Sequence, residues 1–99
     1  MILAKVIGTI VSTQKESSMD GLKFLLLQQI DSDGKTRGGI VVAADAVDAG
    51  VGEIVLYASG SSARQTKRTE NRPCDAVVMA IVDNWEVEGK TVYKKGADD

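Results

Sequence analysis

The ten residues Ser59 to Arg68, SGSSARQTKR, place three serines beside three cations, Arg64, Lys67 and Arg68. Four chemistries use such a string: a phosphate cradle, a nucleophilic serine, a basic nucleic-acid patch and a close protein–protein contact. A P-loop ends in Gly-Lys-Ser/Thr, and GSSAR does not. The nearby DAGVGEIVL has glycines, but Gly50 and Gly52 precede a predicted strand, whereas a dinucleotide fingerprint follows one and opens a helix. A turn explains them better. A nucleophilic Ser59, Ser61 or Ser62 needs a base beside it. The chain contains no histidine, so a pairing with Lys67 is the sole option and nothing supports it. Without histidine, Cys–His nucleophiles and the usual zinc ligands are also absent.

The remaining reactive types read as structure. Cys74 is the only cysteine. It cannot form an internal disulfide, and beside Pro73 and a hydrophobic run it reads as a small core residue. Asp31, Asp33, Asp45 and Asp48 suggest a cation site, yet DSDG lacks the closing bidentate glutamate of a calcium loop, and turn chemistry accounts for them. We therefore expect no catalytic, cofactor-binding or metal-ligating residue and no small-molecule substrate. Arg64, Lys67, Arg68 and Arg72 form a basic cluster interrupted by Glu70. In a single-strand binder such a cluster is interleaved with stacking aromatics. Phe24, Tyr57, Trp85 and Tyr93 are the full aromatic supply, and none lies among those cations. Single-stranded nucleic-acid binding on an OB-type barrel stays as the alternative function. Packing is the leading use of the run, because tiny side chains let several backbones converge.

The elements that must hold it are mostly strands. Ile2 to Ser12 alternates, with Ile2, Ala4, Val6, Gly8 and Ile10 on one small or apolar face and Leu3, Lys5, Ile7, Thr9 and Val11 on the other. Gly8 in mid-strand predicts a bend or a close approach. Lys15 to Gly21 is a loop, and Lys23 to Ile30 is a second strand. Asp33-Gly34 marks a hairpin and Ile40 to Ala44 a third strand. Ile54 to Ser59 is the fourth. Ser61 or Ser62 is expected to cap a short helix running to about Thr66. Pro73 fits just before a buried fifth strand, Ala76 to Val82. A last hairpin turns at Glu88-Gly89, and about 96–99 form a frayed tail. Together these predict a mainly β fold: a five-stranded OB-like barrel with one short helix and a C-terminal hairpin, one domain over 1–99.

The chain has 99 residues, 43% of them hydrophobic and 26% charged, with a net charge of −2. No global field draws it to nucleic acid or an anionic membrane. No run approaches the ~20 apolar residues of a membrane helix. The expectation is a soluble cytosolic domain.

The segments MILAKVIGTIVSTQK, GLKFLLLQ, DAGVGEIVLYASGSSARQT and NRPCDAVVMAIVD occur in that order at short spacings. Together they resemble the EutN/CcmL family, the vertex proteins of bacterial microcompartment shells, from Met1 to about Tyr93. The most specific blocks are Gly50 to Thr66 and Pro73 to Asp83. The resemblance implies a cyclic homopentamer that closes the corners of a polyhedral shell in the bacterial cytoplasm, beside hexameric shell proteins. It implies a structural protein without catalytic centre or cofactor. The family's Gly-Ser-Ser-Ala-Arg segment maps onto Gly60, Ser61, Ser62, Ala63 and Arg64. It places Ser59, Gly60, Ser61, Ser62 and Ala63 near the five-fold axis. Candidates for the subunit interface are Leu3, Ile7 and Val11, with Arg64 either capping carbonyls or facing an acid such as Asp75 or Glu53 of a neighbour. Two positions depart from the family pattern: Ala80, where glycine is common, and Cys74, where an aliphatic residue is. Both are small enough to leave the strand intact. The type of compartment and its cargo stay open.

Overall fold

Five stretches rich in Val, Ile, Leu and Ala form strands: β1 (Ile2–Ile10), β2 (Phe24–Ile30), β3 (Thr36–Asp45), β4 (Ile54–Ser59) and β5 (Ala76–Ile81). The computed structural model describes residues 1–12, 15–72 and 74–96. The expectations for Pro73 and for the tail beyond Gly96 lie outside the described residues. The five strands close into a barrel in the order β1-β2-β3-β5-β4. All neighbours run antiparallel except β3 and β5, which pair in parallel through Ala44↔Val77 and Asp45↔Val78. This is the OB-like architecture expected.

Alternation selects the interior. Ala4, Val6, Leu25, Leu27, Ala43, Val55, Tyr57 and Val78 are buried together in one cluster. Tyr57 is the largest of them, and its hydroxyl accepts a 2.6 Å hydrogen bond from Gln29 Nε2. That bond satisfies a polar atom which would otherwise be costly to bury.

The five-residue apolar face expected on β1 is split by a bulge. The register with β2 shifts between Val6 and Gly8, so Val6 faces Leu27 while Gly8 and Ile10 face Leu26 and Phe24. Partners across a ladder share a face, so one extra residue carries Gly8 and Ile10 to the outside. Gly8 therefore marks the predicted bend. Strand β3 begins at Thr36, earlier than the expected Ile40. Its polar first turn carries no hydrophobic pattern. It is recruited by backbone pairing, with Thr36 opposite Ile30, and Gln28 Nε2 reaches the Gly38 and Gly39 carbonyls.

On the outside of the barrel, Ala44, Val77 and Ala58 form one cross-strand row. Small side chains there allow the segment after β4 to lie close. Ala63 and Cys74 pack on that row as a second buried cluster. The expected short helix is a 3-10 turn over Gly60–Arg64, and no serine side chain caps it. Gly60 at φ +67° reverses the chain, and its N–H donates to Asp75 O at 2.8 Å. The hydroxyl bonds fall one turn later, where Thr66 and Thr69 Oγ1 atoms lie 2.6 Å apart and Thr69 N donates to Thr66 Oγ1.

The predicted last hairpin is β6 (Asn84–Val87) and β7 (Lys90–Lys94), a separate two-stranded sheet. It lengthens the molecule to 46 × 25 × 22 Å. Two clasps hold it to the barrel: Trp85 Nε1 donates to Ser32 O at 2.8 Å, and Lys95 Nζ lies 2.6 Å from Glu53 Oε2.

Candidate assembly surfaces

Ser59, Gly60, Ser61 and Ser62 are exposed together at the end of β4 and along the 3-10 turn. Ala63, the fifth residue expected near an axis, is fully buried within its own chain. Its methyl group anchors the turn, and the turn presents the serines. Arg64 Nη1 donates to Cys74 O at 3.2 Å and ties the turn to the chain just before β5.

The acids considered as partners for Arg64 differ in availability. Glu53 is held by Lys95, and its carboxyl is lowered by that hydrogen bond and by the Gly50 N–H. Asp75 is exposed and forms no ion pair among the described residues. Of the β1 candidates, Leu3 is half-buried beside Leu56, Ile7 is exposed at the bulge, and Val11 is 89% exposed beyond the strand.

An apolar surface that the strand pattern did not reveal lies across β1, β2 and β3. Ile40 and Val42 are 58% and 49% exposed, and Val42 sits opposite Leu26. Ile10, Met19, Leu22, Phe24 and Val42 line a groove of about 270 Å³ there. The bulge at Ile7 builds this face by sending Ile10 outward beside Phe24. The signal available in the sequence was the run Phe24 to Leu27, apolar at every position where alternation would expect polar residues outside.

The aspartates, the cysteine and most of the basic cluster serve structure. Asp31 and Asp33 accept from backbone N–H groups of their own turn. Buried Asp45 accepts from Val47 N and Ala49 N, and Asp48 pairs with Arg68 at 3.2 Å. No cluster of three metal-ligating side chains occurs among the described residues. Cys74 is buried, and burial pushes its thiol up, away from the reactive thiolate. Three of the four cations in the basic cluster are engaged within the chain. Arg64 bonds Cys74 O, Arg68 bonds Asp48, and Arg72 donates to the carbonyls of Ser18 and Asp20.

Comparison with known proteins agrees with this architecture. Residues 1–83 match the family described as ethanolamine utilisation protein EutN/carboxysome. The carboxysome shell vertex protein CcmL of Gloeobacter violaceus is 50% identical over 96% of this chain and 95% of its own length. Its solved structure superimposes with a TM-score of 0.91 over 96% of this chain and 98% of that one. The shell vertex protein EutN of Salmonella typhimurium is 44% identical over 96% of both chains. The pentameric microcompartment shell protein GrpN of Rhodospirillum rubrum matches with a TM-score of 0.80 at 44% identity, covering 88% of this chain and 99% of its own. With its sequence, its barrel and these relatives in agreement, the chain belongs to the EutN/CcmL family.

Proposed function

We propose that this protein is a structural subunit of a bacterial microcompartment shell, assembling as a cyclic homopentamer that fills the five-fold vertices among hexameric tiles in the bacterial cytoplasm. It is not an enzyme in this reading and needs no cofactor. The observation that carries the proposal is near-full-length likeness to shell vertex proteins at 50% identity. A flat sheet of hexagonal tiles cannot close without points of five-fold symmetry, and a five-membered ring supplies them.

The geometry of the protomer fits a ring. Cyclic assembly with heterologous contacts needs two different surfaces on each subunit. One is the apolar face of Ile10, Phe24, Ile40 and Val42, too apolar to be left in water at no cost. The other would be the serine turn with Arg64 and Asp75 beside it, and Leu3, Ile7 and Val11 along β1 are further candidates for the interface. Ser59 to Ser62 would lie nearest the axis, where only small side chains let five backbones meet, and Ala63 would fix that turn from below. A barrel of this size has a limited core of its own, so association adds to its stability.

Light scattering tests the reading. A ring of five 10.5 kDa chains has a mass of about 52 kDa. A monodisperse particle of that mass is expected, and a persistent monomer at micromolar concentration overturns the proposal.

A further inference from the structure

The hairpin β6–β7 builds a groove against the barrel, and its lining joins residues that are far apart in the sequence. The groove encloses about 440 Å³, within the range of small-molecule sites. Trp85 and Tyr93 stand on one side, their ring centroids 5.1 Å apart at 26°. Lys5 and Ile54, ladder partners on β1 and β4, contribute the barrel side, and Lys94 the hairpin side. Neither Lys5 nor Lys94 forms an ion pair among the described residues. Among the described residues the one acid in the lining is Asp33, whose carboxylate accepts from Lys35 N. Two ammonium groups therefore stand against one carboxylate, in a chain whose net charge is negative.

The two clasps make the groove a built feature. Trp85 is fixed through its indole N–H on Ser32 O, and the Lys95–Glu53 pair closes the hairpin base.

We propose that this groove binds a small aromatic anion with the chemistry of a nucleotide, its base against the Trp85–Tyr93 pair and its phosphate between Lys5 and Lys94. Planar rings add to a stacked pair at low cost in freedom, and ammonium groups recognise phosphate as point charges. The site goes beyond the assembly role and does not rest on it.

Trp85 is the only tryptophan, so its emission reports on the groove directly. The assembled protein is titrated with adenosine 5′-monophosphate, followed by fluorescence and by calorimetry, alongside inorganic phosphate, adenosine and a ten-nucleotide single strand. The expected result is saturable binding of the mononucleotide, weaker binding of phosphate or adenosine alone, and a loss of about three-fold for K5Q or K94Q singly. K5Q/K94Q together should lose about ten-fold, with unchanged assembly by light scattering. No saturable signal up to millimolar mononucleotide overturns the proposal, as does equal binding by wild type and K5Q/K94Q. Binding of the oligonucleotide at least ten-fold tighter than the mononucleotide also overturns it, in favour of a nucleic-acid surface.

Discussion

Lys95 Nζ lies 2.6 Å from Glu53 Oε2, joining the residue just past β7 to the turn just before β4. Glu53 also accepts from Gly50 N–H at 2.5 Å, so one carboxylate ties a tight turn to the base of the hairpin. The pair is partly exposed, at 45% and 22% for the two side chains, and its effect is local. It is one of the two clasps on the hairpin, the other being Trp85 on Ser32 O.

The pH dependence follows from the directions of the two shifts. The Lys95 hydrogen bond lowers the Glu53 carboxyl below its ordinary 4.5. Its contribution is therefore complete above pH 4.5 and is lost as pH falls through the lowered folded-state value. Hydrogen bonding to Glu53 raises Lys95 above its ordinary 10.5, so that contribution is present below pH 10.5 and lost as pH rises through the raised value. We expect the Trp85 emission to change in acid below about pH 4.5, and K95M to abolish that transition. An identical acid transition in K95M would show that the clasp does not hold the hairpin.

Ala63 and Ser61 are two residues apart and should respond oppositely to enlargement. Ala63 is completely buried, so A63L overpacks the 60–74 segment and should cost about 1–3 kcal/mol in urea unfolding. Ser61 is exposed, so S61W should leave the barrel folded by circular dichroism while native mass spectrometry shows loss of the ring. Intact pentamers with S61W would count against close approach at the axis.

Val42 is 49% exposed on the apolar face. V42E places a charge there without touching the barrel interior, and should yield a folded chain that fails to assemble. An unchanged mass by light scattering would remove this face from the interface.

Arg64 and Arg68 separate an interface role from a surface one. Arg68 meets Asp48 in an exposed pair, which contributes little. R64A should weaken the ring more than R68A, as read by dissociation on dilution. Equal effects would leave Arg64 without a role between subunits.

Tyr57 is 2% exposed with its hydroxyl 2.6 Å from Gln29 Nε2. Y57F keeps the ring and removes the acceptor, at a cost of about 1 kcal/mol. Thermal unfolding measures it, and no change in stability would mean that the Gln29 amide finds another partner.

The barrel was legible because strand periodicity is a local property. Val55 and Tyr57 or Leu25 and Leu27 announce an inner face by spacing alone. The bulge at Ile7 was legible only as a glycine nearby, and its effect on Ile10 depends on pairing with β2 across more than a dozen residues. The 60–74 segment misled for a similar reason. Serines in a short helix suggest caps, but here the cross-strand row Ala44–Val77–Ala58 pulls Ala63 inward and leaves the serines outside. The aromatics do not lie among Arg64 to Arg72. They stand instead beside Lys5 and Lys94, a grouping made by topology. The turn at Glu88-Gly89 held part of the signal, since it pairs Val87 with Lys90, and a register shift between Trp85 and Glu86 then brings Trp85 opposite Tyr93.

Closure of the five strands also bears on backbone pairing between copies. Where strands pair on both sides no bare rim of amides and carbonyls is left onto which another molecule could zip, and at the β3–β5 seam that protection covers Ala44–Val77 and Asp45–Val78. The short hairpin has free margins as well, and Glu86, Glu88, Lys90 and Lys94 punctuate it with charge. Tight clustering is thereby steered toward side-chain contacts of fixed geometry, with uncontrolled backbone stacking discouraged.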